Sequence, residues 1–253
     1  MSASHGLLAG RTVLVTAAAG TGIGFATARR CAEEGARVAI SDRHERRLAE
    51  AAERLGAVSD LPPLAVPCDV TDEEQVRHLF DTVTETFGRL DVAVNNAGLG
   101  GTATVTAMTD EQWHRVLDVT LTGTFRCTRA ALRHMVPQGR GVVVNNASVI
   151  GWRAQHGQAH YAAAKAGVMA LTRCAAVEVA HAGVRVNAVA PSIAMHEHLA
   201  KVTTPQLLDE LSRREAFGRA ARPEEVADVI VFLASDYSSY MTGEVLSVSS
   251  QHP

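Results

Sequence analysis

Short runs of valine, isoleucine, leucine and alanine alternate along this chain with longer stretches in which apolar residues recur every three or four positions. The short runs are Thr12–Thr16, Val38–Ser41, Leu64–Pro67, Val92–Asn95, Val142–Asn146, Val184–Val189 and Val245–Val248. Most of them lack a clean polar alternation, which predicts strands buried on both faces. The longer stretches are Gly22–Glu34, Glu45–Leu55, Asp72–Phe87, Asp110–Met135, Gln158–Ala180 and Pro223–Ala234, and they carry the helical period. Strand–helix alternation implies a parallel sheet with right-handed crossovers. The expected class is α/β: one doubly wound Rossmann-type domain over residues 1–253, its sheet mostly or wholly parallel and flanked by helices.

One stretch breaks the alternation. Residues 192–221 fall between a strand and the next helix and carry His196, His198, Lys201, Arg213 and Arg214. An insertion above the strand ends is where a substrate lid is expected; a solvated helical hairpin is the plainer alternative.

Composition narrows the classes further. A hydrophobic share of 47% with 20% charged residues is that of a globular chain. The net charge of −3 supplies no basic field, which argues against nucleic acid and anionic membrane as partners. Cys31, Cys68, Cys127 and Cys174 form no CxxC pair and read as small buried hydrophobes of a reduced compartment. The histidines show no metal-ligand spacing, so no metal is expected. Neither a leader-like start nor a long apolar run is evident, and the expected location is the cytoplasm.

The first strand runs directly into Gly20-Thr21-Gly22-Ile23-Gly24 and then a helix. Glycines there let backbone approach a pyrophosphate, and the helix start offers it unpaired N–H groups. The second strand ends at Asp42, whose carboxylate can accept from both adenosine ribose hydroxyls and would repel a 2′-phosphate. That favours NAD over NADP, although the adjacent Arg43 suits a 2′-phosphate. Asp69 and Val70, after the third strand, suit an adenine contact or the cap region of the next helix.

Ser148 closes the fifth strand, Tyr161 follows thirteen residues later and Lys165 four further on. Tyr161 and Lys165 lie one turn apart on one helix face. A neighbouring ammonium is expected to lower the phenol pKa and make it an acid or base near neutrality. Ser148 can hydrogen-bond the reacting oxygen. Together with the nucleotide loop, Asn95-Asn96-Ala97-Gly98 and the order of elements, this set resembles the short-chain dehydrogenase/reductase family over nearly the whole chain.

The resemblance implies a seven-stranded sheet, usually a homotetramer, with Tyr161 as acid/base, Lys165 on the nicotinamide ribose and Ser148 orienting substrate. It implies a cofactor site formed by Thr16, Gly20, Thr21, Gly22, Ile23, Gly24, Asp42, Arg43, Asp69, Val70, Asn96, Ala97, Gly98, Tyr161, Lys165, Pro191 and Ile193, with Asn95 also lining it. Thr120 stands where the family often has the asparagine of a proton relay. Further departures are a glycine loop, Thr16–Gly24, one residue longer and with alanine where the first glycine is expected, Pro191-Ser192 for Pro-Gly, and the tail Ser247-Val248-Ser249-Ser250-Gln251-His252-Pro253 for Asp-Gly-Gly. The Thr16–Gly24 loop, Val144-Asn145-Asn146-Ala147-Ser148, Gly151-Trp152-Arg153-Ala154-Gln155-His156 and the Gln251-His252-Pro253 ending together resemble a subgroup, the IpdF-type reductases of actinobacterial steroid catabolism.

The subgroup resemblance implies hydride transfer at a ring hydroxyl or ketone of a bicyclic hydroxy- or oxo-indanone CoA thioester. Trp152, Arg153, Gln155 and His156 are expected to face that substrate, while Arg153, Lys201, Arg213 and Arg214 are candidates for a CoA phosphate. The alternatives are a 3-oxoacyl thioester reductase and a catalytically idle NAD-binding protein. Ala162, Ala166, Val168 and Ala170 are expected to be exposed and to pack across a two-fold axis.

Overall fold

A computed structural model describes residues 4–195 and 205–250. Residues His196, His198, Lys201, Gln251, His252 and Pro253, singled out above, lie outside the described residues. Seven strands, β1 (Thr12–Val15), β2 (Arg37–Asp42), β3 (Leu64–Pro67), β4 (Val92–Asn95), β5 (Gly141–Asn146), β6 (Val184–Pro191) and β7 (Val245–Val248), form one sheet in the order β3-β2-β1-β4-β5-β6-β7. Every neighbouring pair is parallel.

The apolar strands feed two cores. Val13, Val15, Val38 and Ile40 point to one side, where α1 (Ile23–Glu33), α2 (Glu45–Gly56) and α8 (Pro223–Ala234) pack. Their alternates Leu14 and Ala39 point to the other, against α3 (Glu73–Phe87), α5 (Gly123–Gln138) and α6 (Ala159–Val179). The helices turn matching stripes inward: Leu48, Ala51 and Leu55 from α2, and Val76, Leu79, Phe80 and Val83 from α3. Chain signals set the ends. Asp72 accepts from the Glu74 and Gln75 amides at the start of α3, and Gly88 ends it with φ +79°.

β1 lies between β2 and β4, so the order in which strands are added to the sheet reverses there. Connections leave β1 and β4 on opposite faces and open a crevice at the carboxyl ends of these strands. The nucleotide loop and the Asn95–Gly98 segment both emerge at it.

The helix expected over Asp110–Met135 is three pieces. α4 (Asp110–Leu117) passes into a π turn at Asp118–Thr122 before α5 begins. The cause is a tie from outside the helix: the Thr120 hydroxyl donates to Leu99 O (3.1 Å) and accepts from Leu99 N (2.9 Å). Gly123 follows against Val70, where a Cβ would stand 2.7 Å from a valine methyl.

Two expectations about surface are corrected. Val168 is buried beside Met169, Ala147 and Ala188, whereas Ala166 and Ala170 are exposed on the outer side of α6 and Ala162 is partly so. Helical rotation turns position 168 onto the sheet. Cys174 shares the outer face and is exposed, unlike the buried Cys31, Cys68 and Cys127; all four are free thiols.

Candidate active site

The loop after β1 is shaped by one strained residue and one close contact. Ala17 adopts φ +51°, a left-handed conformation that costs a side-chain-bearing residue about 1–2 kcal/mol. Gly24 packs so tightly that a Cβ there would meet Ala17 O and stand 2.5 Å from Asn96 Nδ2. The loop is held by Arg54, which donates to Gly20 O (2.7 Å) while its guanidinium stacks on Phe25 (4.0 Å to the centroid). The α1 N-terminus has no side-chain cap and no acidic residue in its first turn, so its amides are open to an anion.

Asp42, at the end of β2, is half-buried and accepts from Ala19 N (3.4 Å) and His44 N (3.0 Å). Burial raises its pKa, opposed by the Ala19 amide and by Arg47 and Arg43. Arg43 is exposed and turned to His44. Asp69 makes a turn with Thr71, accepting from its amide and hydroxyl, and Asp72 takes the cap of α3.

Beside β1, Asn96 bridges strands. Its Nδ2 donates to Thr16 O and Ala17 O, and its Oδ1 accepts from Asn146 Nδ2 (2.9 Å). The Thr16 hydroxyl accepts from the amides of Asn96 and Ala97. Asn95 does not line the site: it is buried and donates inward to Thr128 and Asn145. Alternation along β4 explains this, since position 95 faces the α5–α6 core.

The three chemical residues converge. Lys165 is buried and donates to Asn146 O, with its Nζ 5.6 Å from the Tyr161 ring centroid. Ser148 is within hydrogen-bonding contact of Tyr161 and also donates to Pro191 O (3.4 Å). Gly98 runs between Lys165 and Thr120; a Cβ on it would lie 3.5 Å from Nζ. The Thr120 hydroxyl is fully buried, donates to Leu99 O and accepts from Leu99 N, and so positions the 98–99 backbone.

Electrostatics here depart from the sequence expectation. Burial pushes the Tyr161 hydroxyl up to about 12, against a smaller lowering by Ser148. Burial also pulls Lys165 down to about 8. For the phenol, desolvation outweighs the one opposing contribution, that of the Ser148 hydroxyl.

On the substrate side, Gln155 and His156 line a largely apolar cavity of about 380 Å³ with Ala103, Val105 and Ala162. Trp152 is exposed on the same loop, and Arg153 is partly exposed. In α7 (Pro205–Arg214), Arg213 and Arg214 pair with Asp209 and Glu210 one turn away. Two neighbours of the site escaped sequence reasoning. His160 is buried and accepts from Tyr161 N at Nδ1 (3.0 Å), and Asn146 carries the Lys165 anchor. A polar residue closing a buried strand was the available signal for Asn146; nothing in the sequence turns His160 inward.

The sequence profile of a family described as enoyl-(acyl carrier protein) reductase matches residues 17–250. The crystal structure of a short chain dehydrogenase from Mycobacterium smegmatis superposes with a TM-score of 0.89 at 59% identity, covering 100% of this chain and 97% of that one. This chain belongs to the short-chain dehydrogenase/reductase family. It is an oxidoreductase, and the fold takes a nicotinamide cofactor. It is 65% identical, over 99% of its length and 96% of the relative's, to the Mycobacterium tuberculosis (strain ATCC 25618 / H37Rv) (5R,7aS)-5-hydroxy-7a-methyl-1-oxo-2,3,5,6,7,7a-hexahydro-1H-indene-carboxyl-CoA reductase. It is also 44% identical to the cis-4-hydroxycyclohexanecarboxylate dehydrogenase of Sinomonas cyclohexanicum, covering 94% of each chain.

Proposed function

We propose that this enzyme transfers hydride between NAD(H) and the ring hydroxyl or ketone of a bicyclic, hydroxy- or oxo-indane CoA thioester. The observation that carries the chemistry is Ser148 in contact with Tyr161 above the buried Lys165. The substrate class follows from the 65% identity with a reductase named for such a thioester. A nicotinamide dinucleotide fits the residues present: uncapped α1 amides, a loop with no room for a side chain at Gly24, and an acidic Asp42 that suits free ribose hydroxyls. The same Asp42 favours NAD over NADP, while Asp69, Val70, Pro191 and Ile193 complete the cofactor's surroundings.

When bound, the nicotinamide supplies the hydride acceptor or donor. Tyr161, protonated at neutral pH because burial holds it near 12, gives its proton to the ketone oxygen during reduction. Ser148 donates to that oxygen and orients it. Lys165, charged below about pH 8, stabilises the phenolate left behind and is aimed by Asn146 O. Oxidation runs the same proton the other way. Trp152, Arg153, Gln155 and His156 shape the substrate side of a single domain, with a lid formed by the described residues of the 192–221 stretch, 192–195 and 205–221.

The test is turnover followed by nicotinamide absorbance, with NAD(H) and NADP(H) offered separately against an indane CoA thioester and acetoacetyl-CoA. Turnover of the bicyclic ester with NAD(H) is the expected result. Turnover of the linear ester alone would assign the enzyme to 3-oxoacyl thioesters instead.

The enzyme is further proposed to act as a homotetramer in the cytoplasm. Ala166, Ala170 and Val177 on α6 and Phe125 on α5 expose apolar surface, Val177 being 81% exposed. Light scattering at micromolar concentration is expected to give four times the chain mass; a monomer would exclude this assembly. Among the described residues no helix is long and apolar enough to cross a membrane.

A further inference from the structure

Glu215 directly follows α7 and is only 7% exposed. A buried carboxylate needs a cation or several donors. Among the described residues no lysine or arginine pairs with it; the nearby Arg219 directs its guanidinium to Glu225. Its partners are three hydroxyls on one oxygen: Ser192 (3.0 Å), Ser250 (3.1 Å) and Ser249 (3.4 Å) donate to Oε2. Ser192 is the residue after β6, and Ser249 and Ser250 are those after β7. These are the positions where the chain departs from Pro-Gly and from Asp-Gly-Gly.

Backbone contacts lock the same three segments. Ser192 N donates to Val248 O (3.2 Å), and Phe217 N to Ser250 Oγ (3.4 Å). Ile193 O accepts from Ala221 N (2.9 Å), and Met195 N donates to Ala221 O (2.9 Å). The Pro191–Met195 stretch is therefore held between the tail on one side and residues 215–221 on the other. Pro191 O is the acceptor of the Ser148 hydroxyl.

We propose that Glu215 is a positioning residue for substrate capture. Through Ser192, Ser249 and Ser250 it fixes the stretch whose first carbonyl, Pro191 O, accepts from the Ser148 hydroxyl. Lys165 and Tyr161 sit on α6, Lys165 is anchored to Asn146 O and Ser148 follows β5, so loss of the clasp moves the wall at Pro191–Met195 and leaves the acid/base pair in place. The inference rests on the ketone-reductase reading of that site. The carboxylate lines a cavity of about 190 Å³ with Phe217 and Arg219, room for water to replace it in a truncated variant.

Glu215→Ala, Glu215→Gln and Ser192→Gly test this with the indane CoA thioester and NADH. Glu215→Ala is expected to raise the thioester KM about tenfold and the NADH dissociation constant with it, because Pro191 and Ile193 of the held stretch also border the cofactor, with kcat changed less than about threefold. Glu215→Gln recovers most of the loss, because its amide oxygen still accepts hydroxyls. Ser192→Gly adds little on top of Glu215→Ala, since the Ser192 contact is already among the three that Glu215→Ala breaks. An unchanged KM in Glu215→Ala, or no recovery with Gln, overturns the proposal. Hydrogen exchange gives a readout free of turnover: the Ser192 and Phe217 amides are expected to lose protection together in Glu215→Ala. Separate behaviour of these amides overturns the clasp. Wild-type protein silent on the thioester, with the paired loss of protection intact, removes the substrate reading and keeps the clasp.

Discussion

Tyr161→Phe is expected to lower kcat by about 10³-fold, within the range that a positioned acid or base contributes, while NADH still binds. Phenylalanine keeps the ring that lies over Lys165 and removes only the hydroxyl in contact with Ser148. The loss therefore belongs to proton transfer and not to packing. In wild-type protein the pH profile carries the mark of Lys165. Burial lowers it from 10.5 to about 8, so the ammonium is present below that pH and lost above it. Reduction is expected to fall as pH rises past about 8, well before an ordinary lysine would deprotonate. Steady-state rates across pH for both proteins check this. Wild-type turnover in the Phe variant would mean that another group moves the proton.

Gly24→Ala is expected to weaken NADH binding by more than about tenfold and to lower the melting temperature. Forced overpacking of this kind costs typically 1–3 kcal/mol, and 1.4 kcal/mol is tenfold in affinity. The added methyl has nowhere to go, because its neighbours are backbone at Ala17 and the Asn96 carboxamide, itself tied to Thr16 O, Ala17 O and Asn146. Relief requires the loop to shift away from the first turn of α1, and the open amides there lose their common aim. Fluorescence titration with NADH and thermal melting give the two readouts. Unaltered affinity would show that the loop is not the pyrophosphate cradle.

The strand pattern was readable because burial on both faces leaves little but apolar residues at these positions. Leu64–Pro67, Val92–Asn95 and Val245–Val248 have the limits that the pattern suggests, and the helix at Pro223–Ala234 does too. The π turn at Asp118–Thr122 was not readable, since its cause lies at Leu99, distant in sequence. Periodicity also missed which of two adjacent asparagines turns inward: Asn95 serves the core and Asn96 the cleft. Among site residues, Ser148, Tyr161 and Lys165 stood out by spacing and do converge. The direction of the Tyr161 shift did not follow from spacing, because the degree of burial is a tertiary quantity. Glu215 was invisible for a related reason: its three serines come from two other strand exits.

The crevice between β1 and β4 also shapes the order of folding events. Thr12 meets Arg37 on one side of β1, but on the other its amide donates to Asp91, 79 residues away. Closing the longer loop costs roughly 1 kcal/mol more entropy than the shorter one. The β1–β2 side can thus assemble from nearer contacts, while the β1–β4 seam waits for a distant encounter. Asn96 and its bonds to Thr16 and Ala17 belong to that late seam. A partly folded chain has half of the nucleotide cleft and no cradle, so the dinucleotide selects only the completed molecule and holds it closed by mass action.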